Sequence, residues 1–166
     1  MVDCEVLRDS AVDTQVVDAE ALGKAGCQFL LIASEEATAD VLLADELGLG
    51  MPVVDGLPEH RIRAIEDGPF DFLLYRPAEI KWPLTVGSVL LLQDLVSSFS
   101  KHIFLELPAG ASVPGEKDLE VLKNLPVSAI VIDLASVKPE DAGKLKEAVG
   151  KLEPRKPSSK GERSAL

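Results

Sequence analysis

Residues 29–54 read FLLIASEEATADVLLADELGLGMPVV, and the order of apolar runs and breaks in this stretch indicates the type of fold. Its first five residues are continuously apolar, which is typical of a strand buried on both faces in a parallel sheet. Ser34 then offers a helix N-cap, and apolar residues recur at helical spacing over 35–47. The glycines of Gly48-Leu49-Gly50 are expected to stop this helix before the next strand, Pro52-Val53-Val54. The stretch therefore predicts one complete β-α-β unit.

The same alternation recurs along the rest of the chain. Further helices are predicted over 59–66, 85–100, 116–123 and 139–151, and further strands over 70–75, 102–107 and 129–133. The run at 89–92 resembles a strand, but its apolar residues continue at helical spacing, so a buried helix is predicted there. A helix over 17–26 and a short strand over 4–7 fit the pattern before residue 29.

These repeats predict an α/β fold with a parallel sheet. Two architectures fit: part of a (β/α)8 barrel, or an open doubly wound sheet. A complete barrel needs about 250 residues, so this 166-residue chain supplies at most a partial barrel, and its length favours the open sheet. The folded domain is expected over 1–152. Residues 153–166 are basic and have little to bury, so a disordered tail is expected there.

Several segments resemble those of an uncharacterised bacterial family of TIM-barrel-like proteins. They are Ala25–Leu30, Asp71–Leu74, Ser128–Leu134 and the Pro-Arg-Lys tail that ends at Leu166. The resemblance runs through most of the chain and implies a TIM-barrel-like fold in a truncated member that lacks some early strands. The family has no established activity, so the resemblance implies no catalytic residues.

Composition excludes several classes of partner. The formal net charge of -11 predicts a surface that repels nucleic acid and anionic membranes. The two cysteines form no CxxC pair, and no apolar run approaches the roughly 18 residues of a membrane span. No signal-peptide pattern opens the sequence, so a cytoplasmic location is expected.

Candidate site residues follow the predicted strands, because parallel sheets place their ligands at the carboxyl ends of strands. Asp55, Glu106 and Asp133 could together hold one divalent cation such as Mg²⁺, and Arg76 could orient an anionic substrate. Magnesium-dependent oxo-acid lyases on TIM barrels use a similar order of Arg, Glu and Asp. A structural alternative remains open, in which the aspartates cap helices, Glu106 faces solvent or pairs with Lys101, and Arg76 makes a surface ion pair.

Two functions therefore remain open from the sequence. The first is a barrel-like protein that binds a small metabolite or a protein partner, and the second is a metal-assisted lyase or aldolase acting on a small oxo-acid. A partial barrel would also leave an edge strand unpaired, which predicts self-association into a homo-oligomer.

Overall fold

A computed structural model describes residues 19–152, except residues 79, 109 and 111. The helices are α1 (Ala19–Lys24), α2 (Glu59–Glu66), α3 (Val86–Ser97), α4 (Glu116–Asn124) and α5 (Pro139–Lys151), with one 3₁₀ helix (Ala39–Leu43). The strands are β1 (Phe29–Leu31), β2 (Gly48–Val53), β3 (Phe72–Tyr75), β4 (His102–Glu106) and β5 (Val127–Val131). The strand predicted over 4–7 and the tail predicted over 153–166 lie outside the described residues.

The five strands form one parallel sheet in the order β1-β2-β3-β4-β5, which confirms the α/β fold and the parallel sheet. Each strand pairs with its neighbour in sequence, so the described strands contain no reversal of order. A doubly wound sheet requires such a reversal, whereas a (β/α)8 barrel is built in sequential order. The described sheet is therefore arranged as in a barrel, although it does not close.

The main hydrophobic core lies between the sheet and the helices. Alternate strand residues point to this side, among them Val53, Leu73, Tyr75, Ile103 and Leu105, each at most 2% exposed. The helices contribute the facing apolar side chains, including Ile65, Leu92, Val96, Phe99 and Leu122. Burial of this apolar surface is what holds the repeated units together.

The opposite face of the sheet carries a cluster of three phenyl rings. Phe72 stacks on Phe104 at a centroid distance of 4.5 Å, and Phe29 meets Phe72 edge-on at 5.6 Å. β2 lies between β1 and β3, yet its glycines leave room for the rings to meet above it. A Cβ on Gly50 would lie 2.1 Å from the Phe72 ring, and one on Gly48 would lie 2.9 Å from Phe29.

The segment around these glycines is where the sequence prediction was wrong. Gly48 and Gly50 were expected to end a helix over 35–47, but they lie inside β2, and the segment before them contains only the 3₁₀ helix Ala39–Leu43. Glycine is disfavoured within strands unless another group approaches closely. The phenyl rings of Phe29 and Phe72 are that group, since they occupy the space where side chains would stand.

Each helix in the part of the chain that the structure describes is too short or too polar to span a lipid bilayer.

Candidate binding site at the carboxyl edge of the sheet

Polar residues follow the carboxyl ends of four neighbouring strands. Asp55 comes two residues after β2, Arg76 follows β3, Glu106 ends β4, and Asp133 comes two residues after β5. Because the strands are parallel and adjacent, these positions share one edge of the sheet, as the sequence predicted. Strand side chains alternate between the two faces, so the edge alone does not decide which of them meet.

Arg76 and Glu106 come together as an ion pair. The Nε–H of Arg76 donates to a carboxylate oxygen of Glu106. Glu106 is buried, whereas the side chain of Arg76 is 39% exposed. Each of the two residues also takes part in at least one further interaction. The pair spans the neighbouring strands β3 and β4, so the buried carboxylate fixes the position of a guanidinium that solvent still reaches.

Asp55 meets Tyr75 instead. The phenol O–H of Tyr75 donates to a carboxylate oxygen of Asp55 at 2.5 Å. Tyr75 belongs to the core between sheet and helices, and Arg76, the next residue, follows on the other side of the chain by strand alternation. The Asp55 carboxylate is therefore hydrogen-bonded on the side of the sheet that faces the helices. The Arg76–Glu106 ion pair lies on the other side of the sheet.

Asp133 organises the turn that follows β5. A carboxylate oxygen of Asp133 accepts a hydrogen bond from the backbone N–H of Ala135 at 3.0 Å, and the backbone carbonyl of Asp133 accepts from the hydroxyl of Ser136 at 2.9 Å. This is an Asx turn, and it differs from the helix cap that the structural alternative proposed, because α5 begins only at Pro139 with Lys138 as its N-cap.

A metal site built from Asp55, Glu106 and Asp133 stays a prediction. In the part of the chain that the structure describes, no group of three or more His, Cys, Asp or Glu side chains is arranged to hold a metal ion. Each of the three carboxylates accepts a hydrogen bond from a different partner: Tyr75 for Asp55, Arg76 for Glu106 and the backbone N–H of Ala135 for Asp133.

Asp118 was not singled out from the sequence. It links the loop before α3 to the loop before α4 at this edge of the sheet. It is the third residue of α4, and its buried carboxylate accepts from the backbone N–H of Gly115 at 3.2 Å and of Leu84 at 2.7 Å. The first bond caps α4 and the second anchors the loop between β3 and α3. An acidic residue three positions into a helix was the sequence signal for the cap, but its partner Leu84 is 34 residues away and gave no signal.

The phenol of Tyr75 is expected to make the stability of the protein depend on alkaline pH. Burial and the hydrogen bond to Asp55 raise the pKa of the Tyr75 phenol above its ordinary value. The folded protein thus favours the neutral phenol. The stability that this preference contributes is fully present below the ordinary pKa of about 10. It declines above that pH, because the phenol ionises first in the unfolded chain.

We expect the free energy of unfolding to fall with pH above 10 more steeply in the native chain than in Tyr75→Phe, by up to about 1.4 kcal/mol per pH unit. Urea denaturation between pH 9 and pH 11, a range set around the phenol's ordinary pKa, measures both slopes. Equal slopes in the two proteins would show that the phenol is not held neutral.

Two cavities lie beside the sheet, and neither is lined by Arg76 or Glu106. One is a groove of about 530 Å³ between β5, α4 and α5, with an apolar lining that includes Leu122, Ile130 and Leu145. The other, of about 290 Å³, lies between helix α2 and the segment after β1 that contains the 3₁₀ helix, with Met51 of β2 in its lining. Both are lined by residues of the helix-facing side, so the ion pair occupies a separate place at the edge.

Comparison with known proteins bears on the fold. No protein-family model matches this chain, and no curated protein matches it closely. Among solved structures, a mutant tryptophan synthase α-subunit from the hyperthermophile Pyrococcus furiosus is similar, with a TM-score of 0.56 at 13% identity. The fold is TIM-barrel-like. The match covers 79% of this chain and 57% of that α-subunit, so this chain spans less than two thirds of its neighbour's length.

A second similar structure is a member of the enolase superfamily from Listeria innocua. Its TM-score is 0.48 at 14% identity, over 82% of this chain and 39% of that one. At these identities a structural likeness concerns the fold and not the activity.

Proposed function

We propose that this protein binds a small organic carboxylate at the carboxyl edge of the sheet, with Arg76 as the residue that contacts the anion. The observation that supports this most is the ion pair with Glu106, which fixes a partly exposed guanidinium at the edge where TIM-barrel proteins place their ligands. A fixed guanidinium has its fork of donors oriented in advance, so less entropy is lost when a carboxylate binds.

The chemistry of arginine accounts for the ligand class. Guanidinium has five N–H donors, and carboxylates are recognised by two parallel N–H···O bonds. The net charge of -11 opposes the approach of any anion, and a large polyanion meets that field over its whole length. A small acid carries only one or two negative charges and therefore meets less of this repulsion, which favours a metabolite over nucleic acid or an anionic membrane.

Metal-assisted lyase or aldolase chemistry on a small oxo-acid is the alternative function. It needs a cation such as Mg²⁺ near Glu106 and Asp133, and Arg76 would again bind the acid. The two proposals share the anion contact and differ in whether binding depends on the metal. A cytoplasmic location suits both of them, because such acids are common cytoplasmic metabolites.

Calorimetric titration with pyruvate, succinate and 2-oxoglutarate, with and without Mg²⁺, tests the proposal. The fluorescence of Trp82, the chain's single tryptophan, gives a second readout because this residue lies in the loop between β3 and α3. We expect Arg76→Ala to weaken binding at least tenfold, since hydrogen bonds between charged groups contribute about 1.5–3 kcal/mol. Arg76→Lys should recover only part of the affinity, because it keeps the charge and loses the fork.

Arg63→Ala is the matched control. Arg63 makes an exposed ion pair with Glu59 on α2, so its loss removes the same type of side chain away from the site. The control should bind as the native chain does. Equal affinity in Arg76→Ala and the native chain would contradict the proposal, and so would the absence of binding by all three acids. Binding that occurs only in the presence of Mg²⁺ would favour the lyase, because binding by Arg76 alone does not depend on the metal.

A further inference from the structure

Helix α3 presents an apolar face to solvent. Three of its large apolar side chains are well exposed: Val86 at 78%, Leu90 at 63% and Leu91 at 62%. Leu92 and Val96 are buried in the core on the other side of the helix, and Val89 and Leu95 are partly buried against it. An amphipathic surface helix normally turns charged residues outward, so apolar side chains on both sides of α3 indicate that its outer face has a partner.

Charge distinguishes this face from the other helical surfaces. Asp94 is the one charged residue within α3, whereas α2, α4 and α5 each carry four or more charged side chains. Two copies of a chain with a net charge of -11 repel each other over most of their surface. A nearly uncharged face is where two such copies can approach at the lowest electrostatic cost.

The order of residues along α3 makes the face complementary to itself. In an antiparallel crossing centred between Leu90 and Leu91, residue 94 of one copy lies beside residue 87 of the other. Asp94 then meets the first turn of its partner's α3, where the helix dipole favours a negative charge. Residue 87 is a glycine, and a Cβ placed on it would meet only the Thr85 hydroxyl, at 3.7 Å, so the backbone is open to close approach.

We propose that the outer face of α3 is the contact between two copies of this chain, packed antiparallel about a two-fold axis between Leu90 and Leu91. The two-fold axis places the same patch on both subunits, which is the usual arrangement of soluble dimers. Leu90 of each copy packs against Leu91 of the other, and the two Asp94 carboxylates lie at opposite ends of the contact. This surface is distinct from β1 and β5, the outer strands of the described sheet.

Sedimentation equilibrium of the full chain at micromolar concentrations tests this contact. The native chain is expected to dimerise, and Leu90→Glu should weaken the dimer at least a hundredfold, because the two-fold axis places the changed side chain in both halves of the contact. Asp94→Asn should weaken it several-fold, because each carboxylate loses its favourable position at a helix N-terminus. Circular dichroism confirms that each variant remains folded, as is expected for changes at exposed positions.

Leu43→Glu is the control, because Leu43 is also well exposed but lies on the 3₁₀ helix. It should leave the dimer unchanged. A native chain that stays monomeric would overturn the proposal. A dimer that persists in Leu90→Glu would overturn it as well, since the copies would then associate through another surface, such as β1 or β5, the outer strands of the described sheet.

Discussion

Replacing Gly50 with alanine is expected to destabilise the fold by about 3 kcal/mol, the upper end of the usual effect of overpacking. The added Cβ would lie 2.1 Å from the Phe72 ring, so the ring has to move. Phe72 cannot move without disturbing others, because it is buried, stacks on Phe104 and meets the edge of Phe29. Thermal and urea unfolding of the two proteins measure the loss.

Two further variants locate the cause of this effect. Gly143→Ala in helix α5 is the matched control, since nothing lies within 4 Å of the added Cβ. It should stabilise the protein by about 0.5–1 kcal/mol, because alanine is the better helix former. Phe72→Leu should reduce the cost of Gly50→Ala if the ring is the obstacle. The same cost in both backgrounds would show that the glycine is needed for another reason.

Leu105→Ala is expected to reduce the free energy of unfolding by about 2–5 kcal/mol, which is the usual cost of removing a buried leucine side chain. Leu105 has an exposed fraction of 0% and lies in β4, paired with Tyr75 on one side and Ile130 on the other. The fixed strands around it can close the resulting cavity only in part. Urea denaturation measures the change.

Leu134→Ala makes the same chemical change at an exposed position after β5. It should alter stability by less than about 0.5 kcal/mol. A small effect of Leu105→Ala, similar to that of the control, would show that β4 is not at the centre of the core.

Periodicity was enough to predict most of the elements. Helices α2 and α5 have the predicted bounds, and α4 differs by one residue. Thr85 caps α3 by accepting a hydrogen bond from the Ser88 N–H, so the ambiguous run 89–92 is helical as predicted. These predictions are confirmed because the spacing of the apolar residues and the capping residues indicate the same structure.

The prediction of a helix over 35–47 was wrong because it rested on a local pattern. The structure of this segment depends instead on contacts with neighbouring strands. Gly48 and Gly50 have the sequence signature of a helix end, yet their position in β2 depends on Phe29 and Phe72 of the two neighbouring strands. A single sequence does not show which rings will lie above a glycine. Tertiary contacts therefore overrode the local pattern.

For the candidate site, too, the sequence predicted the positions of the residues but not their contacts. The sequence placed Asp55, Arg76, Glu106 and Asp133 at one edge of the sheet, because that follows from parallel strands alone. It did not predict which side chains meet, since the pairing of Arg76 with Glu106 depends on the register between β3 and β4. The role of Tyr75 as the partner of Asp55 was missed for the same reason.

NMR can locate, residue by residue, whether a small carboxylate binds to Arg76 at the carboxyl edge of the sheet. The ¹⁵N-labelled chain is titrated with pyruvate, succinate and 2-oxoglutarate, and the shift of each backbone amide is followed. We predict that the largest shifts occur at Arg76 and at Leu107, the residue after Glu106, and that they disappear in Arg76→Ala. Largest shifts along the groove at Leu122 and Leu145, or no shift with any of these acids, would contradict the account.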